Sequence, residues 1–137
     1  MAHTVVEHLD GMRFSGQGAS GHSVLMDAAE TSGGQNSGPR PVEVLLASLG
    51  GCTGMDVISI LRKMKTEPQA LRVEIDDERA AEYPKVITHL HLTYVVKGDV
   101  PRENVEKAVN LSLEKYCPIV NTLSGVAEIS SEIQMVP

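Results

Sequence analysis

The segment PVEVLLASLGGCTGMDVISILRKMK, from Pro41 to Lys65, decides how the rest of the chain reads. Pro41 suits a first helical turn, where its missing N–H costs nothing, and Leu46, Leu49, Thr53, Val57, Ile60 and Met64 then recur at spacings of three and four. That spacing predicts a helix to about Lys65. Leu45, Ala47, Met55 and Leu61 fill its other sides, so it is apolar nearly all round and is expected to be buried on most faces. About 24 helical residues reach about 36 Å, comparable with the width of a compact domain of this size. One small sheet hardly covers such a helix, and the expected cover is a second copy of the chain across a twofold interface. Glu43, Asp56 and the adjacent Gly50 and Gly51 argue against a membrane span and for a core helix.

Upstream, Thr4 to Leu9, Met12 to Ser15 and His22 to Asp27 read as three short strands of a meander, parted by Asp10-Gly11 and by the small residues from Gly16 to Gly21. Ala28 to Arg40 has no apolar period and reads as a long polar loop closed by Pro39 and Pro41. Downstream, Leu71, Val73 and Ile75 alternate with Arg72, Glu74 and Asp76, and Val86 to Val96 alternates likewise, giving two antiparallel strands. Asp99 is positioned to cap a helix with Pro101 in its first turn, whose stripe is Val105, Ala108, Val109, Ser112, Leu113 and Tyr116. That helix stops at Cys117, because Pro118 disfavours helical geometry at the residue before it. Pro118 then starts a fresh turn through Leu123, Gly125 ends it, and Ala127 to Met135 forms a last strand. Strands grouped around two main helices, without strict alternation, give an α+β fold, and 137 residues are about one domain.

The charge balance excludes several classes of function. Twelve Lys and Arg against 18 Asp and Glu leave a net charge of -6 with no densely basic window, which argues against nucleic acid as a partner. Met1 to Asp10 shows no charged-then-apolar leader, so a cytoplasmic protein without a membrane partner is expected. There is no glycine-rich phosphate loop, CxxC or HExxH, and no cofactor is called for. His89 and His91 share a strand face and have the spacing to grip a metal, but the simpler reading is a solvated face beside Glu74 and Asp76, and no metal is expected.

What remains is sulfur. Cys52 and Cys117 are the two cysteines of a chain without an export signal, where a structural disulfide is uncommon and redox use more natural. Two inert, buried thiols are the competing reading. Cys117 lies between a helix end and the Pro118 turn, where free amide N–H groups, helped slightly by Lys115, favour a thiolate. Cys52 follows Gly50 and Gly51, each of which weakens a helix by about 1 kcal/mol relative to alanine. Close approach of another backbone, or room for a substrate beside the sulfur, would compensate. Asp56, one turn after Cys52, would raise a neighbouring thiol's pKa and is better read as a polar group satisfied by another element.

The segments from Pro41 to Thr53 and from Glu114 to Pro118 together resemble the two cysteine motifs of the OsmC/Ohr family. Asp10-Gly-Met-Arg-Phe and the run from Ala19 to Asp27 resemble its YhfA-like branch, so the likeness covers essentially the whole chain. It implies an intertwined homodimer in which long central helices are wrapped by antiparallel sheets. It also implies reduction of organic hydroperoxides, with Cys52 attacking the peroxide, Cys117 resolving the sulfenic acid into a disulfide, and a dithiol reductant restoring both thiols. The family's peroxidases pair the nucleophile with an arginine from the N-terminal sheet and a glutamate ten residues before the cysteine. Here that position is Val42, with Glu43 one residue late, and Arg13, Arg40 and His22 are the groups near the expected arginine. Glu43, His22 and Arg40 are therefore the candidate orienting or substrate-pocket residues. The alternatives are a dimer that binds or senses a small apolar or electrophilic molecule, and other thiol chemistry such as disulfide exchange or persulfide handling.

Overall fold

The computed structural model describes residues 3–137, so the first two residues of the Met1–Asp10 stretch read above lie outside it. In chain order the elements are β1 (Val5–Asp10), β2 (Arg13–Gln17), β3 (Ser23–Met26), a 3-10 turn (Glu30–Ser32), α1 (Pro41–Lys63), β4 (Ala70–Arg79), β5 (Ile87–Lys97), α2 (Arg102–Leu111), a π-helical turn (Ser112–Tyr116), α3 (Pro118–Leu123) and β6 (Glu128–Val136). This is the expected α+β architecture of a long helix and two small sheets. The chain divides within α1 into two compact units, one ending at Ala47 and the other starting at Ser48.

In the first unit β1, β2 and β3 form the antiparallel meander, with Val6 opposite Gly16 and Gly16 opposite Val24. Gly11 takes a φ of 48° in the first turn, and Arg13 closes that turn by donating to both carboxylate oxygens of Asp10, at 2.8 and 3.0 Å. The polar loop that follows is organised by Asp27. Its carboxylate is buried and accepts from the backbone N–H groups of Ala28, Gln35 and Ser37 and from the Ser37 hydroxyl at 2.7 Å. A Cβ at Gly34 would collide with the Ala28 carbonyl, so the loop closes on itself there only with glycine.

In the second unit β4, β5 and β6 form a sheet with β5 central. The expected β4–β5 pairing is antiparallel, with Val73 opposite Tyr94 and Ile75 opposite Leu92. The ladder to β6 departs from the all-antiparallel expectation and is parallel, because the chain crosses over through α2 and α3 and re-enters at the same end. Leu90, Leu92, Tyr94 and Val96 of β5 are buried with Val105, Ala108 and Val109 of α2 and with Leu49, Val57 and Leu61 of α1. The opposite face of the sheet carries His89 between Glu78 and Glu128, at 3.3 and 3.1 Å, and His91 beside Glu132, as expected of a solvated face.

Two local expectations are corrected. Asp99 does not cap α2: the cap position is Pro101, with no side-chain cap bond. The stripe of α2 also does not run straight to Tyr116. The π turn shifts the helical phase, so Ser112 stays buried while Tyr116 swings to half-exposed. Along α1 the buried residues are Leu49, Thr53, Val57 and Leu61, a single stripe, and Met55 is 76% exposed within the single chain.

Candidate active site

Cys52 and Cys117 meet. Cys52 lies close enough to act on the Cys117 thiol, both are free thiols, and Cys117 is fully buried while Cys52 is half-buried. Gly50 and Gly51, which precede Cys52, turn out to serve different ends. A Cβ on Gly50 would stand 3.1 Å from the Ile75 side chain, so this glycine lets β4 approach, whereas Gly51 faces open space. The approach at Gly50 is made by a side chain rather than by the expected backbone, and at Gly51 the single chain leaves open space.

Cys117 caps α3, its sulfur accepting from the Val120 N–H at 3.4 Å, as the helix-end position implies. The expected outcome, a favoured thiolate, is overturned. Burial raises the Cys117 thiol to about 11, and the neighbouring Cys52 adds to it, against the lowering by the Val120 and Ile119 N–H groups. Desolvation of a full charge outweighs two weak N–H···S contacts. Cys117 is therefore a thiol at neutral pH.

The turn before Cys117 is held from several sides. In an α-helix the Cys117 N–H would bond to Leu113, but here it donates to the Ser112 carbonyl at 2.8 Å. The freed Leu113 carbonyl accepts from Asn121 Nδ2 at 3.1 Å, and the same amide nitrogen donates to the Cys117 carbonyl at 2.8 Å.

A buried chain of polar groups links this turn to α1. Tyr94 Oη lies 2.7 Å from Thr53 Oγ1, which lies 2.7 Å from Ser112 Oγ, and Ser112 donates to Asp56 Oδ2 at 2.9 Å. With the Ser112 proton given to the carboxylate, Thr53 must donate to Ser112 and Tyr94 to Thr53, so every donor points toward Asp56. Burial pushes the Tyr94 phenol up to about 12, and the phenol stays protonated. Asp56 is thus the satisfied polar group that its position implied. Thr53, Tyr94 and Ser112 are functional candidates that sequence reading missed: Thr53 and Ser112 occupy apolar-stripe positions, and that mismatch was the available signal.

The other site candidates all lie in the first unit. Glu43 accepts from the Arg40 backbone N–H at 2.9 Å, half of a capping box at the start of α1. Arg40 donates from Nη1 to Asn36 Oδ1 at 2.7 Å and lines a cavity of about 660 Å³ with Val6, Met12, Phe14, Met26 and Pro41. His22 is exposed in the β2–β3 turn, and Arg13 is committed to Asp10. Among the described residues no cluster of three or more His, Cys, Asp or Glu has the arrangement of a metal site.

Residues 34–132 match the family model of OsmC-like proteins. Protein YhfA of Escherichia coli K12 is 37% identical over 135 residues, spanning 96% of each chain. Among solved structures, a hypothetical protein from Aquifex aeolicus aligns over 100% of this chain and 98% of its own, with a TM-score of 0.82 and 27% identity. An organic hydroperoxide resistance protein OsmC from Legionella pneumophila aligns over 96% of each chain, with a TM-score of 0.70 and 15% identity, a likeness of fold.

Proposed function

The chain belongs to the OsmC/Ohr family, and from that premise we propose that it reduces organic hydroperoxides through a Cys52–Cys117 thiol cycle. The observation that carries the proposal is the asymmetry of the pair: Cys52 is accessible, and the buried Cys117 presents a thiol to it. The accessible sulfur meets the oxidant. The Cys52 thiolate attacks the terminal peroxide oxygen, forming an S–O bond and breaking the O–O bond, and the alkoxide leaves as alcohol after taking a proton. Cys117 then attacks the sulfenic sulfur, its proton leaving with the hydroxyl as water, and the disulfide forms. An external dithiol reduces that disulfide and is itself oxidised. The open space beside Gly51 is the approach to Cys52. Glu43, Arg40 and His22 are proposed as orienting groups on the strength of the resemblance alone.

The protein is further proposed to be a cytoplasmic homodimer. Val6, Leu9 and Met12 in the first unit and Met55 in the second leave apolar surface exposed on a single chain, which a second copy would cover. Light scattering tests this, and a monomer would overturn it.

The decisive assay is consumption of cumene hydroperoxide and hydrogen peroxide with a dithiol, by the protein and by its Cys52→Ser and Cys117→Ser variants. Preference for the organic peroxide, loss of turnover without Cys52, and accumulation of sulfinic Cys52 without Cys117 are expected. Equal inactivity of all three proteins sinks the peroxidase reading. A binding protein for a small apolar molecule would then be the better account, and the cavity lined by Phe14, Met12 and Met26 favours that reading.

A further inference from the structure

The two sulfurs sit on segments far apart in sequence, and what joins those segments is short and specific. Thr53 is bonded to Cys52 through one peptide link, and its hydroxyl meets the Ser112 hydroxyl at 2.7 Å. Ser112 in turn holds Cys117 through its carbonyl, by the 2.8 Å bond that the π turn creates. Ser112 therefore reaches one cysteine with its backbone and the neighbour of the other with its side chain. Tyr94 and Asp56 fix the two ends of this hydroxyl chain.

A core does not need such a chain for stability alone. Thr53 and Ser112 are both fully buried, and valine has nearly the same shape as threonine, so apolar residues would fill the same space without desolvating hydroxyls. A buried hydrogen-bond chain adds direction, which apolar packing lacks. π turns are rare within helices and recur at functional sites, and this one falls directly before the resolving cysteine.

We propose that Thr53 and Ser112 are positioning residues for the cysteine pair, holding Cys117 against Cys52 so that the sulfurs combine as an intramolecular reaction. The inference rests on the thiol-cycle reading and deepens it. Neither hydroxyl touches the oxidant: each acts through the cysteine segment that it anchors.

The test uses oxidised and reduced glutathione in place of a peroxide. Cys52 displaces one glutathione thiolate to form a mixed disulfide. Cys117 then displaces the second, giving the Cys52–Cys117 disulfide and, in all, two reduced glutathiones. Counting thiols by alkylation and mass at each glutathione ratio yields the effective concentration of one thiol at the other. Thr53→Val and Ser112→Ala are each expected to lower it about tenfold, while Thr53→Ser, which restores the hydroxyl, stays within about twofold of the parent protein. Circular dichroism identifies any variant that has lost its fold, and the remaining one decides.

Folded Thr53→Val or Ser112→Ala with the parent value would overturn the proposal, as would a parent protein that forms no internal disulfide in any glutathione mixture. Since no peroxide is involved, a protein inactive toward hydroperoxides but showing the tenfold loss fails the peroxidase reading and keeps the positioning one.

Discussion

The loop after β3 and the turn before Cys117 are both irregular segments held by buried polar groups, and they are held in opposite ways. Around Asp27 one charged carboxylate gathers four donors, from Ala28, Gln35 and Ser37, and the loop takes its shape from that point. Around Ser112 neutral hydroxyls pass donors in a line from Tyr94 to Asp56. A charge at the centre tolerates variation in its surroundings because any N–H nearby is attracted to it. A line of hydroxyls tolerates little, since each oxygen must sit within bonding distance of two others. The first arrangement suits a loop that must close, and the second suits two sulfurs that must meet.

The largest effect expected of a change in either region is at Gly34. Gly34→Ala drives a Cβ into the Ala28 carbonyl, which cannot move without breaking the Asp27 bonds, and a loss of about 3 kcal/mol is expected in urea denaturation. Limited proteolysis should then cut between residues 28 and 40. Unchanged stability would mean that the carboxylate can gather its donors in more than one loop shape.

Ser112→Ala comes next. It leaves the buried Thr53 hydroxyl without its acceptor, at a cost of about 2 kcal/mol, and the same measurement reads it. A loss below about 0.5 kcal/mol would show that the hydroxyl line rearranges as freely as the charged centre, and would break the contrast.

The pH dependence separates the two regions by sign. Hydrogen bonding from Ser37, its hydroxyl foremost, lowers the Asp27 carboxyl from 3.8 to about 2 despite burial. Its stabilisation is complete above about pH 4 and is lost as the pH falls toward 2. Tyr94 runs the other way. Its phenol rises from 10.0 to about 12, so stability is complete below about pH 10 and falls by about 1.4 kcal/mol per unit as the pH rises toward 12. Cys117, raised from 9.0 to about 11, adds a similar alkaline loss. Amide exchange at Gln35 and Ser37 should report the acid limb and that at Cys117 the alkaline one. Both limbs appearing at the same amides would erase the distinction.

Much of this was legible in the sequence, for identifiable reasons. The helix from Pro41, the strands on either side and the break at Pro118 follow from periodicity and from proline's geometry, which act over a few residues. The pairing of Cys52 with Cys117 came from resemblance, since nothing local in either segment points to the other. The protonation of Cys117 was misread because amide N–H groups at a helix start are visible in sequence, whereas complete burial depends on distant residues. The Asp27 centre and the Thr53–Ser112 contact were missed for the same reason: their partners are eight, ten or 59 positions away. Parallel pairing of β6 depends on the end at which the chain re-enters the sheet after α2 and α3, and no residue in either strand encodes that.

The smallest predicted effect sets a glycine near the sulfurs against the one in the loop. Gly34 is required because something stands where its side chain would be, whereas at Gly51 nothing lies within 4 Å. Gly51→Ala therefore removes a helix-weakening residue without a clash and should stabilise the protein by about 1 kcal/mol, opposite in sign to Gly34→Ala. A glycine that costs stability and fills no packing need within its own chain has some other use, and the use proposed at this position is space beside Cys52. If that space admits the peroxide, the added methyl should lower kcat/KM for cumene hydroperoxide several-fold while leaving hydrogen peroxide, which needs less room, nearly unaffected. Equal kinetics on both oxidants would place the approach to Cys52 on another side of α1, and the stabilised variant would then have lost nothing.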